Sequence, residues 1–286
     1  MRRTDPVTGQ WFDIEPGTAH QVTDHAVHLL APNASAWTYE GTNTWLIGAP
    51  GGNACAVVDP GDEAPEHLAA IIDTARRRGW QIAAILVSHG HPDHFGGARQ
   101  LAELTGAPIY SAIVDERVVL HLPTRPIGPA WQLDLGGVTI TALRTPGHSD
   151  DSLTFQVPGD DVLLTGDTIL GGRSSAVFGP LADFLDSLTL IRAAADSGSA
   201  VILPGHGTPV GDPVATIDRL TEVRLARVAQ IAQLVDAGVT SIGAITDAIY
   251  PHLPAQRRPA AEASVQSHLA YLVTTRDRSD SGGVPA

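Results

Sequence analysis

The chain has no lysine: all 18 of its basic residues are arginine, set against 31 acidic ones, for a formal net charge of −13. An acidic chain of this kind has no general attraction for polyanions, so any nucleic-acid contact must come from a local basic patch. One cysteine, Cys55, excludes an internal disulfide; within "ACAVVD" it reads as a small buried strand residue rather than a nucleophile. No apolar run approaches the ~20 residues that a membrane helix needs. The opening "MRRTDPVTGQWFDIEP" carries charge without the apolar stretch of a secretory signal. The expectation is a soluble, cytoplasmic protein with no membrane partner. With 286 residues, 43% of them hydrophobic, there is room for a sizeable core in one large domain or one domain plus a small one.

Short apolar runs alternate with helical patterns over the first two hundred residues. "TNTWLIG" and "ACAVVD" read as adjacent strands joined by the turn at Pro50 to Gly52. Glu66 to Arg78 has helical periodicity, "IAAILV" reads as a buried strand, and Phe95 to Leu104 as the next helix. Candidate strands follow at Trp131–Leu135, Val138–Leu143, Ser152–Val157 and Val162–Thr165, then a helix over Leu181–Ala195 and a last strand in "AVILPGHG". From Pro213 the strand signal fades and three helical stretches follow, Pro213–Asp236, Ser241–Ile249 and Pro259–Thr274. The expected organisation is a mixed α/β domain over 1–212, a helical domain over 213–275, and a disordered tail over 276–286, where "RDRSDSGGVPA" is polar and rich in glycine and serine.

Three of the twelve histidines fall within His89-Gly90-His91-Pro92-Asp93-His94, directly after "IAAILV". A solvated loop has no need of them, and packing alone does not explain four ligand-type residues at one strand end. Three more residues share the setting of a strand end beside glycine: His148 in "TPGHSDD", Asp167 in "LLTGDT" and His206 in "ILPGHG". Imidazole suits zinc, and carboxylate adds charge and can bridge. Five histidines and two aspartates suffice for two divalent ions about 3.5–4 Å apart, which would acidify a water held between them. His67, His121 and His252 lack this setting and read as surface or core residues.

With these motifs in order, the chain resembles the metallo-β-lactamase superfamily, whose signature is H-x-H-x-D-H followed by separate His, Asp and His motifs. The resemblance implies an α/β fold, a four-layer αββα sandwich with metals at one edge of its two sheets. It also implies a ligand set: His89, His91 and His148 for one zinc, Asp93, His94 and His206 for the other, and Asp167 bridging, with Asp93 also orienting the attacking water. Iron or manganese is the alternative to zinc. Asp167 argues against β-lactamase activity, because class B β-lactamases generally lack that carboxylate. Too few residues separate Asp167 from His206 for the insertion of the β-CASP nucleases. Longer stretches, "EGTNTWLIG", "TPGHSDDSL", "TGDTILGG", "FGPLADFLDSL" and "ILPGHG", are similar to the β-lactamase-like protein 2 family, whose animal members are endoribonucleases. "VRLARVAQI" and "VQSHLAYL" look like parts of that family's winged-helix-like domain, with the wing short or missing here.

On a helical wheel, Ile217, Leu220, Val223, Val228, Ile231, Leu234 and Val235 share one face of the Pro213 helix, and Arg224 and Arg227 fall inside that arc. They either dock the helix or reach a substrate phosphate. Arg257 and Arg258, placed away from the metals, are the candidates for contact with a nucleic-acid backbone, together with Arg276 and Arg278. His268 is expected to pack between helices. The leading expectation is therefore a binuclear zinc hydrolase that cleaves a phosphodiester, plausibly single-stranded RNA. A thioesterase or lactonase of the glyoxalase II type, acting on a small-molecule ester, is the alternative. A metal-sensing DNA-binding regulator is the weaker third reading.

Overall fold

The computed structural model describes residues 2–4, 11–13, 15–113, 122–196 and 200–280. A short antiparallel ribbon, β1 (Arg2–Thr4) and β2 (Trp11–Asp13), precedes the main body. Seven strands then form one sheet in sequential order: β3 (His20–Gln21), β4 (Ala26–Leu30), β5 (Asn43–Gly48), β6 (Ala54–Val58), β7 (Gln81–Leu86), β8 (Ile109–Ser111) and β9 (Thr124–Pro126). The second sheet has five: β10 (Gln132–Asp134), β11 (Thr139–Arg144), β12 (Leu153–Val157), β13 (Val162–Gly166) and β14 (Val201–Pro204). In the first sheet pairing is antiparallel up to β6 and parallel from β6 onward; in the second, only β13 and β14 run parallel.

Side-chain alternation explains how the two sheets stack. Trp45 and Ile47 of β5, Ala56 and Val58 of β6, and Leu86 of β7 face Phe155, Val157, Leu164 and Leu203 of the other sheet in one core. Their neighbours Leu46, Cys55, Val57 and Ile85 point the opposite way, onto Leu68, Ile71 and Ala75 of α1 (Pro65–Arg77) and Leu101 of α3 (Ala98–Thr105). On the far side Leu163 and Ile202 pack against Phe184, Leu188 and Ile191 of α4 (Leu181–Ala195). Strands covered on both faces are buried at every position, as β5 and β13 are, and the polar Asn43 and Thr44 at the start of β5 are hydrogen-bonded. The result is the four-layer αββα sandwich.

One helix was expected over Phe95–Leu104; two form. A single turn, α2 (Pro92–Phe95), stops at Gly96-Gly97 before α3 begins. A Cβ on Gly96 would lie 2.7 Å from the Pro92 carbonyl oxygen, and the Gly97 amide donates to Gly61 instead of continuing the helix. Strand β4, buried along its whole length, was not anticipated. Its two sheet neighbours, β5 on one side and β3 on the other, make it an interior strand.

The C-terminal region is helical: α5 (Pro213–Asp236), α6 (Ile242–Ile249) and α7 (Arg258–Asp280). Proline at the first position of α5 and Asp212, whose side chain accepts from the Ala215 amide, set the start of α5. Its first half, through Ile217 and Leu220, belongs to the core beneath α4. Its second half, through Ile231, joins Ile245, Ile249 and Val265 in a separate small core. Val223, placed by periodicity on the apolar arc, is exposed. Helix α7 continues through Asp280, into the stretch expected to be a tail; residues 281–286 and His121 lie outside the described residues.

Gly147, just before His148, has φ +129°, and a Cβ there would lie 2.5 Å from Cα and 2.8 Å from N of Phe184 in α4. Both backbones are fixed by packing, so Gly147→Ala is expected to lower the unfolding free energy by about 2–4 kcal/mol, read from urea denaturation.

Candidate metal centre

The parallel strand pairs aim their carboxyl ends at one edge of the sandwich, and the loops there carry the candidate residues. His89 and His91 follow β7, and Asp93 and His94 lie in α2. His148 comes from the loop between β11 and β12, Asp167 follows β13, and His206 follows β14. All seven meet. Nδ1 of His91 is 2.9 Å from Nε2 of His89 and 3.1 Å from Nε2 of His148. Nε2 of His206 is 3.2 Å from Asp93 Oδ2, and Nε2 of His94 is 3.5 Å from the same oxygen. Asp167 stands between the two groups, with Oδ1 3.3 Å from Nε2 of His94 and Oδ2 3.5 Å from Nε2 of His206 and 3.8 Å from Nε2 of His148. Gly205 makes room for this approach: a Cβ there would sit 2.5 Å from Asp167 Oδ1.

The hydrogen bonds behind the rings determine where their protons lie. His148 Nδ1 donates to the Ala176 carbonyl (2.9 Å), and His206 Nδ1 donates to that of Gly41 (3.0 Å). His94 Nδ1 donates to Asp59 Oδ2 (2.8 Å). The Ser88 hydroxyl gives its proton to the same Asp59 oxygen (2.7 Å), so its lone pair accepts from His89 Nδ1 (3.0 Å). Four imidazoles therefore present bare Nε2 lone pairs to one small space. Nε2 of His94 and Oδ1 of Asp167 are buried with no hydrogen-bond partner. Converging lone pairs and orphaned buried acceptors are what a cation resolves. Among the described residues, three overlapping groups could hold a metal ion: His89 with His91 and His148, His89 with His94 and Asp167, and Asp93 with His94 and His206.

Electrostatics divides the cluster. Burial pushes His148 down to about 4, and burial reinforced by His94 and His148 holds His89 well below the usual histidine range, so both are neutral and ready to ligate. Burial would also lower His94, but the carboxylates of Asp167 and Asp59 outweigh it and hold the ring well above its ordinary value. Asp167 in turn is held well below the carboxylate range by His206 and His94, against the opposing effect of burial.

Asp59, which follows β6, was not among the candidates, although "VVDPGD" places it in the same strand-end setting as the others. Its Oδ1 also accepts from the Ser88 amide (2.7 Å), and its φ is +52°. Asn43, equally unforeseen, donates through Nδ2 to the Pro204 and Gly207 carbonyls (2.9 Å each) and so holds the loop that carries His206.

The cluster opens into a cavity of about 460 Å³ whose walls include Trp37, Leu170, Phe178 and Leu253 beside His91, Asp93 and His148. The four candidate arginines part company here. Arg224, buried, and Arg257 line the cavity, so the expectation that Arg257 stands away from the metal cluster is corrected. A three-residue 3-10 turn over Ala255–Arg257 brings it back over the loop of Tyr39. Arg227 instead stacks on Tyr250 at 4.7 Å, and Arg258 pairs with Asp247 (2.7 Å) and Glu262 (2.8 Å). His67 and His268 are buried core residues, and His252 is exposed.

Residues 37–206 match the family model described as the metallo-beta-lactamase superfamily, and residues 241–275 match that of the beta-lactamase associated winged helix domain. The chain belongs to the metallo-beta-lactamase superfamily, whose members are in general metal-dependent hydrolases, and it is an enzyme of that class. Its similarity to the Beta-lactamase-like protein 2 homolog of Drosophila melanogaster runs nearly end to end, at 30% identity over 270 residues, 88% of this chain and 89% of that protein. The atrochrysone carboxyl ACP thioesterase of Passalora fulva is 33% identical over 196 residues, 66% of this chain and 55% of that protein. In fold it is similar to a beta-lactamase domain protein from Burkholderia ambifaria, with a TM-score of 0.76 at 20% identity, covering 95% of this chain and 93% of that one.

Asp59→Asn replaces an acceptor of two side-chain donors with a group that must offer one NH₂ back to them. Zinc affinity, measured by competition with a chromogenic chelator, is expected to fall about 10–100-fold.

Proposed function

We propose that the protein is a binuclear zinc hydrolase of small esters or thioesters with an apolar acyl portion. The observation that supports it best is the cavity: about 460 Å³, lined by His91, Asp93, His148, Asp167 and His206 of the cluster together with Trp37, Leu170, Phe178 and Leu253. That is the size and character of a small-molecule site rather than of a groove for a polyanion. His89, His91 and His148 would hold one ion, Asp93, His94 and His206 the other, and Asp167 both. Iron or manganese suits the same nitrogen and oxygen donors. Bound there, the ions supply Lewis acidity toward the scissile carbonyl and toward water. Asp93, with a quarter of its side chain exposed and lining the cavity, would orient the attacking water and take its proton. Leu170, Phe178 and Leu253 receive the acyl chain and exclude bulk water. The similarity to an acyl-carrier thioesterase supports the same reaction class.

A phosphodiester, as in single-stranded RNA, is the second reading. One observation favours it: Trp37 is 48% exposed while lining the cavity beside Arg257, an aromatic face on which a base could stack. The two readings separate on turnover. Purified zinc enzyme is expected to hydrolyse p-nitrophenyl butyrate and a butyryl thioester at least about tenfold faster than bis-p-nitrophenyl phosphate, and an RNA oligomer cut faster than either ester reverses the order. Asp167→Ala is expected to lower the zinc content from two ions per chain and the turnover by roughly a hundredfold or more, read by elemental analysis alongside initial rates. Full activity with one ion per chain overturns the binuclear site.

A further inference from the structure

The ligand cluster accounts for one part of the cavity lining; two arginines of the C-terminal region account for another. Arg224, from the middle of α5, is only 5% exposed. Its guanidinium lies over the Phe184 ring at 5.1 Å and donates one NH₂ to the Ser175 carbonyl, while Nε is buried with no hydrogen-bond partner. Its charged or titratable neighbours are Tyr250, Arg227 and His268, with no carboxylate among them. Burying a guanidinium without a counter-charge is costly, and natural proteins keep one where something supplies the charge.

Arg257 is fixed in a similar way. It stacks on the Tyr39 ring at 4.5 Å, and its Nε donates to the Ala36 carbonyl (2.8 Å), which occupies that edge of the fork. Among the described residues no carboxylate pairs with Arg224 or Arg257. Arg173, Arg192 and Arg258 do take carboxylate partners, Glu40, Asp218 and Asp247, in a chain with an excess of acidic residues. Both cavity arginines are thus held by aromatic faces and backbone carbonyls, pre-organised and, among the described residues, without a carboxylate partner.

We infer that Arg224 and Arg257 form an anion subsite inside the cavity, so that the substrate is an ester or thioester bearing a carboxylate or phosphate group away from its scissile carbonyl. The inference rests on the hydrolase reading for the word substrate, but the subsite itself is a separate property. The anion completes the buried guanidinium of Arg224 and meets the planar fork of Arg257. The apolar walls take the carbon chain between it and the reacting carbonyl.

The test compares two chromogenic esters on the full-length zinc enzyme, p-nitrophenyl butyrate and mono-p-nitrophenyl glutarate, which differ by a terminal carboxylate. The glutarate ester is expected to be preferred by at least about tenfold in kcat/KM, the range of one charge-assisted hydrogen-bonded contact. In Arg257→Leu that preference is expected to vanish, mainly through KM. Arg224→Leu risks misfolding, so Arg224→Lys, which keeps the charge and loses the fork, is the companion variant and is expected to weaken the preference. Calorimetric titration with glutarate and with inorganic phosphate gives a readout independent of turnover, and the tighter of the two identifies the anion. Heat that persists unchanged in Arg257→Leu belongs to the metal ions and counts against the subsite. Equal turnover of both esters by native enzyme and Arg257→Leu overturns it while leaving the hydrolase reading intact. Arg257-dependent glutarate or phosphate binding with no ester turnover does the reverse.

Discussion

Four imidazole nitrogens and two carboxylates converge at the edge of the sandwich, largely shielded from water, and burying so many polar groups together is costly. The fold holds them there by fixing the far side of each ring. Asp59 does this for two of them at once, taking a proton directly from His94 and, through the Ser88 hydroxyl, orienting His89. Backbone carbonyls of Gly41 and Ala176 do it for His206 and His148. A cation bound among these groups would offset the cost of gathering them, and much of the surrounding architecture serves that gathering: parallel strand pairs ending at one edge, and glycines where Asp167 and the His148 loop come close.

The centre was legible because its residue types are improbable together for any other reason. Three histidines and an aspartate after a fully apolar strand have no packing explanation, and the resemblance they led to carried the ligand set and the sandwich. What escaped was the support. Asp59 is one acid in a turn, and its importance lies in two donors that arrive from residues 88 and 94. Asn43 acts on a loop more than 150 residues away, which no local pattern announces. Strand β4 escaped for a different reason: "AVHLL" is buried at every position, so it shows no alternation, and its histidine disguises it. Val223 shows the opposite error, an apolar residue at helical spacing that faces solvent because the helix changes partner near that point.

The C-terminal helices take part in the site. Arg224, Tyr250, Leu253, Arg257 and Ser264 all border the cavity, and the Ser264 hydroxyl accepts from the amide of Val177 in the loop that also places Phe178. The two arginines that helical spacing sets on the apolar face of α5 behave differently. Arg224 is turned into the protein, whereas Arg227 covers an aromatic ring at its margin.

Helix α5 contributes to two cores along its length, with Leu220 in the one beneath α4 and Ile231 in the one shared with α6 and α7. Such a helix acts as a common beam. Neither half of the molecule owns it, so loosening one end removes support from the core at the other. Evolution by cassette exchange is constrained in the same way. A new cap could replace this one only by keeping the first turns of the old beam, and with them the rotation that turns Arg224 inward.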